Sequence, residues 1–105
     1  MKDKICVILT TTDSKKSAKK LAKNLLQKRL AACIQMGIIK SRYMWEKRPV
    51  CEKEYLLTIK TTAKNRKAIK RYFSKKHPYK VPEFISIKGR SAKNYKKWLK
   101  GVLQK

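Results

Sequence analysis

Apolar positions along this chain follow two rhythms, one with a period near two and one near 3.6, and their order outlines the fold. Ile5, Cys6, Val7, Ile8 and Leu9 form an unbroken branched run, the pattern of a central strand covered on both faces. After three threonines, Asp13 or Ser14 offers an oxygen to the first free amides of a helix. Ala18, Leu21, Ala22, Leu25 and Leu26 then recur at i, i+3, i+4, i+7 and i+8, while Lys15, Lys16, Lys19, Lys20 and Lys23 fill the opposite side. That spacing predicts an amphipathic helix reaching about residue 28.

A second strand is predicted from residues 29–34 past Gly37 to 41–46, with Tyr43 and Trp45 on one face and Arg42 and Met44 on the other. Residues 47–49 read as the turn, because Pro49 cannot donate to a ladder and belongs at a turn or an edge. A third strand returns over 54–61. A second helix starts near Thr62, faces Ile69, Tyr72 and Phe73 inward, and stops at Pro78. Pro82 opens a fourth strand over 83–87, which Gly89 ends. Ser91 is predicted to cap a third helix burying Tyr95, Trp98, Leu99 and Val102.

The order β-α-β-β-α-β-α over residues 1–105 predicts a single α+β domain. Its class is a ferredoxin-like β-α-β-β-α-β antiparallel sheet with helices on one face and an added C-terminal helix. The second and third strands exceed the needs of one small sheet. Their overhang would expose Tyr43, Trp45 and Tyr55 on a ribbon with an unpaired edge, which another subunit is expected to cover.

Composition adds charge to this picture. Thirty Lys and Arg face six Asp and Glu, a formal net charge of +24. Such a polycation attracts nucleic acid whatever its role. Lysine, however, is spread through every segment and far outnumbers arginine, which favours solvent-facing decoration and at most non-specific nucleic-acid association. Three cysteines, Cys6, Cys33 and Cys51, are an odd set without close pairs, which points to reduced thiols in the cytoplasm. No apolar run is long enough for a membrane span, and the N-terminus lacks the form of a signal peptide.

The chain contains no Walker loop, no GxGxxG and no CxxC, so no enzymatic class is indicated. Chemistry concentrates instead in His77-Pro78-Tyr79-Lys80-Val81-Pro82-Glu83. This stretch holds the lone histidine and two of the three prolines, and the prolines stiffen it. Thiolate and imidazole together suit copper. His77, Glu83 and Cys33 are the metal candidates, although a cysteine on an apolar strand among alanines, as Cys33 is, is more often plain core than ligand. An oligomer would gather several copies of His77, Glu83 and Glu54. Lys60, at a strand end, is either solvated or an anion-binding group in a cleft, with Glu54 as its natural ion-pair partner.

Taken together, these residues resemble the CutA family of divalent-cation tolerance proteins. The resemblance runs through Arg29-Leu30-Ala31-Ala32-Cys33, the Ser41-x-Tyr43-x-Trp45-Glu46 segment, Glu54, Lys60-Thr61-Thr62, the His77–Glu83 element and Tyr95-x-x-Trp98-Leu99. It implies a homotrimer similar to PII signalling proteins, cytoplasmic and non-enzymatic, with clefts between subunits. It also implies tolerance of copper or another divalent cation. His77, Tyr79 and Glu83 carry over as loop positions, Tyr43, Trp45, Glu54 and Lys60 as cleft positions, and Cys33 as the strand cysteine. A small-anion sensor of PII type is the alternative. Three departures, at four positions, set the chain apart from relatives. Thr10 and Asp13 stand where a cysteine or serine and then a proline are common. Lys76 replaces a second histidine, which is expected to set an ammonium beside His77. Lys47 replaces a glycine.

Overall fold

The computed structural model describes residues 4–104; residues 1–3, most of the N-terminal stretch read above, and residue 105 lie outside it. The elements are β1 (Ile5–Thr12), α1 (Lys15–Gln27), β2 (Cys33–Trp45), β3 (Arg48–Thr62), a short 3-10 turn (Ala63–Asn65), α2 (Arg66–Lys76), β4 (Ile85–Gly89) and α3 (Lys93–Leu103). The sheet order is β2-β3-β1-β4, antiparallel throughout, which is the ferredoxin-like α+β arrangement.

Alternation along β1 divides the core. Cys6 and Ile8 share a face with Ile59 and Leu57 of β3 and pack under Ala18, Leu21 and Leu25 of α1 and Ile69 and Phe73 of α2. Ile5 points to the other face, where it meets Ala32 and Leu99. α3 therefore covers the sheet from the opposite side to α1 and α2, rather than sharing one helical layer with them. Of its predicted buried face only Leu99 is fully buried; Tyr95 and Trp98 stay 37% and 49% exposed, with Ile85 and Ile87 exposed on the same sheet face. The sequence pattern marks this stripe as apolar but cannot say that one chain leaves it half covered.

Several boundaries differ from the pattern-based reading. β1 continues through its threonines because each still pairs with β3, down to Thr12 opposite Tyr55. Tyr55 packs against the core instead of being exposed with Tyr43 and Trp45. Ser14 caps α1, its Oγ accepting from the Ser17 amide at 3.1 Å. Ser91 does not cap α3: the cap position is Ala92, and the Ser91 hydroxyl donates to the Ala92 carbonyl.

α1 ends in a Schellman turn, with Arg29 at φ 57° and the Leu30 amide bonded to the Leu25 carbonyl. The Arg29 guanidinium then donates to the carbonyls of Val102 and Gln104, tying the end of α1 to the end of α3. The hairpin turn is Glu46-Lys47, not residues 47–49. Both residues have positive φ, 50° and 68°, as required of a two-residue turn that follows the strand twist. Pro49 lies within β3 opposite Met44, on a stretch that β1 does not reach, so its missing donor breaks no ladder.

Candidate functional site

Pro78 stops α2 at Lys76 and holds His77 extended, with φ −72° and ψ 138°. That geometry swings the imidazole back over the helix end. Its Nδ1 accepts the Tyr79 amide at 3.0 Å, so a neutral ring carries its proton on Nε2 and donates it to Thr10 Oγ1 at 3.0 Å. The ring also packs edge-on against Phe73, with centroids 5.3 Å apart, and lies 5.3 Å from the Tyr79 ring. Burial holds the His77 pKa below its usual value, against the opposing pull of the Thr11 backbone and the Asp13 charge. His77 therefore fastens the loop to β1, through the hydroxyl of one of the departing residues.

Tyr79 projects from the fastened loop and donates its hydroxyl to Glu54 Oε2 at 2.7 Å. Glu54 is only 6% exposed. Burial first, and this bond second, push the Tyr79 phenol well above its ordinary range. On the ribbon Tyr43 donates to Glu52 Oε1 at 2.6 Å, and that bond raises its pKa to about 12. Burial and the nearby Glu54 charge raise the Glu83 carboxyl.

Between the loop and the ribbon lies a cleft of about 850 Å³. Its walls include Tyr43, Trp45, Tyr79 and the carboxylates of Asp13, Glu52, Glu54 and Glu83, with Arg42 and Lys80 as the cations among them. Four of the six acidic residues in a chain of charge +24 thus meet at one place.

The structure unites five candidates, Tyr43, Trp45, Glu54, Tyr79 and Glu83. His77 stands behind this cleft as its support and does not line it. Cys33 and Lys60 are register partners elsewhere on the sheet, with Lys60 six residues, roughly 20 Å, from Glu54 along β3. The Lys60 ammonium sits 6.0 Å from the Tyr95 ring centroid, beside α3, and forms no pair with Glu54. Lys76 also departs from expectation. Being the last residue of α2, it is exposed and lines a groove between α1 and α2 rather than flanking the imidazole. Asp13 and Glu52 are the cleft residues that sequence reasoning missed. Their signal was available, since Glu52 and Glu54 are spaced by two on one strand and acids are rare here.

A bound metal ion needs several converging donors. Among the described residues, no group of three or more His, Cys, Asp or Glu side chains is arranged to hold one. Both imidazole nitrogens of His77 are already engaged. The donors that remain free in the cleft are carboxylate oxygens, which suit hard divalent ions better than copper. One chain by itself does not present a closed metal site.

Three comparisons bear on this geometry. A family model described as CutA1 divalent ion tolerance protein matches residues 6–102. A divalent-cation tolerance protein CutA of Thermus thermophilus is 35% identical over 97 residues, covering 90% of this chain and 93% of its own. The structure of CutA from Synechococcus elongatus superposes with a TM-score of 0.92 at 30% identity, covering 99% of this chain and 93% of that one. An Archaeoglobus fulgidus structure, described as a periplasmic divalent cation tolerance protein CutA, gives 0.91 at 28% identity, with coverage of 95% and 99%.

Proposed function

The chain belongs to the CutA1 divalent ion tolerance family, and from that premise we propose that it acts without catalysis as a homotrimer whose acidic clefts collect divalent cations weakly. The observation that carries this reading is the gathering of Asp13, Glu52, Glu54 and Glu83 in one cleft of a strongly cationic chain. Burial first, and the neighbouring Glu54 charge second, disfavour the ionised form of Glu83, and a divalent cation in the cleft favours it. Ligands from one chain leave the coordination shell open, and a second subunit at the cleft mouth completes it.

The trimer is supported by the apolar side chains one chain leaves bare: Ile85, Ile87, Tyr95 and Trp98 on one sheet face, and Trp45 on the ribbon. Three free cysteines, one buried and one exposed, support action in a reducing cytoplasm. No helix among the described residues is long and apolar enough to cross a membrane.

Calorimetric titration of Cu(II) and Mn(II) into the wild type and a Glu54→Gln/Glu83→Gln double variant tests the site. The expected result is weak wild-type binding of both ions that falls about tenfold or more in the variant. Superimposable isotherms for the two proteins would sink the reading. Sedimentation of the wild type tests the trimer, and a monomer at micromolar concentration would overturn it together with the completion of the cleft by a second subunit.

A further inference from the structure

The +24 charge finds no use in the acidic cleft, and its distribution is more informative than its size. α1 carries five lysines, α2 six Lys and Arg, and α3 four lysines, and none of the three helices contains a carboxylate. A lysine-rich composition accounts for many cations; it does not account for helices emptied of acids while four of the acids cluster at the cleft. Helical neighbours here are of like charge, as in Lys15, Lys19 and Lys23 or Lys67, Arg71 and Lys75. Such i, i+4 pairs oppose the helix rather than support it. Lys15 and Lys16, and Arg66 and Lys67, also open their helices against the helix dipole. Only Lys75 and Lys76, in the last turn of α2, suit the dipole, and neither helix holds a carboxylate to pair with its cations.

α1 and α2 bury their apolar sides on the same face of the sheet, so their cationic sides form one outward layer. A groove of about 550 Å³ runs between them, lined by Lys28, Arg71, Lys75 and Lys76 together with Asn24 and Tyr72. The Asn24 amide donates to the Tyr72 hydroxyl at 2.8 Å, bridging the helices and leaving the phenol proton free to donate outward. This is a rigid floor of donors without a single carboxylate. In a trimer built on the opposite sheet face, the layer stays on the outside.

We propose that the outer face of α1 and α2 docks the phosphate backbone of double-stranded nucleic acid, without regard to sequence. Lysine dominates the face, and its ammonium serves as a point charge for phosphate rather than a bidentate reader of bases. Single strands need exposed aromatic platforms, and the only aromatic in the groove, Tyr72, is half-buried. A membrane surface needs apolar side chains to insert, and Leu26 is the one large apolar side chain that these two helices leave exposed among the described residues.

The test is fluorescence anisotropy of a short labelled duplex of arbitrary sequence against the full-length protein, from about 50 to about 200 mM salt. Two variants of equal net charge are compared. Lys67→Gln/Arg71→Gln/Lys75→Gln changes the proposed face, and Arg90→Gln/Lys93→Gln/Lys97→Gln changes the α3 end. All six residues are exposed, and unchanged melting curves verify the fold. The wild type is expected to bind with a steep salt slope. The α2 variant should lose about ten- to a hundredfold in affinity and about 2 to 3 in slope, and the α3 variant should bind like the wild type. Equal losses in both variants would reduce the effect to total charge and overturn the proposal. So would absence of binding at the lowest salt, or stronger retention on phosphatidylserine vesicles than on the duplex. None of these outcomes depends on the cation reading of the cleft.

Discussion

The two walls of the acidic cleft are held by different physics. The loop of residues 77–84 is fastened to distant strands by two side-chain bonds, His77 to Thr10 and the Tyr79 hydroxyl to Glu54, and braced within itself by the Tyr79 amide on His77. The facing ribbon, from Tyr43 to Glu52, is held by its two-stranded ladder and one surface bond between Tyr43 and Glu52. It ends in a turn with two non-glycine residues at positive φ. A wall fastened by buried side chains is preorganised. A two-stranded ribbon beyond the main sheet is marginal by itself and takes its position from whatever packs against it. The cleft thus pairs a fixed wall with an adjustable one, an arrangement suited to a site completed by a neighbouring subunit.

The largest break in this contrast should come from His77→Ala. It removes both ring bonds and the contact with Phe73, and is expected to cost about 2 to 3 kcal/mol in chemical denaturation. A loss under about 0.5 kcal/mol, typical of a neutral surface change, would mean that the loop is not fastened as described. Next comes Tyr79→Phe, which leaves the nearly buried Glu54 carboxylate without its donor. The expected cost is about 2 kcal/mol, and Glu54→Gln added to it should recover part of the loss.

The adjustable wall can be sharpened rather than broken. Lys47→Gly places the one residue without a left-handed penalty at φ 68°, and should stabilise the protein by about 1 kcal/mol in thermal unfolding. No gain would indicate that neighbouring packing already absorbs the strain.

The smallest effect is on pH. Burial depresses the His77 pKa, so the unfolded chain binds the proton more readily than the folded one. Stability from this group is therefore complete above the unfolded value near 6.5 and declines as pH falls through the folded one. Glu83, with a raised pKa, acts in a lower window with the opposite sign, favouring the fold at acid pH and losing that contribution as pH rises. His77→Ala should remove the decline just below neutrality, and its persistence in that variant would assign it elsewhere.

Much of this architecture was legible in the chain itself. Local periodicity suffices for Ala18, Leu21, Ala22 and Leu25, because a helical face and its burial are written at the same spacing. The stiff stretch from His77 to Glu83 was equally visible, since prolines act on their own neighbours. The site was legible only in part. Glu54, Tyr79 and Glu83 were singled out for scarcity or motif and do converge, whereas Cys33 and Lys60 carried the same kind of signal and lie at another part of the sheet.

By itself, the sequence determined the order of elements, the apolar faces and the stiffness of the loop, because each depends on residues a few positions apart. Only the tertiary structure decided that His77 faces Thr10 rather than the cleft, that Lys76 turns to the α1–α2 groove, and that four carboxylates meet between loop and ribbon. Those outcomes rest on strand register and on how a chain end swings past a helix terminus. One residue of register reverses the face on which a side chain appears, and nothing local in the sequence states that register.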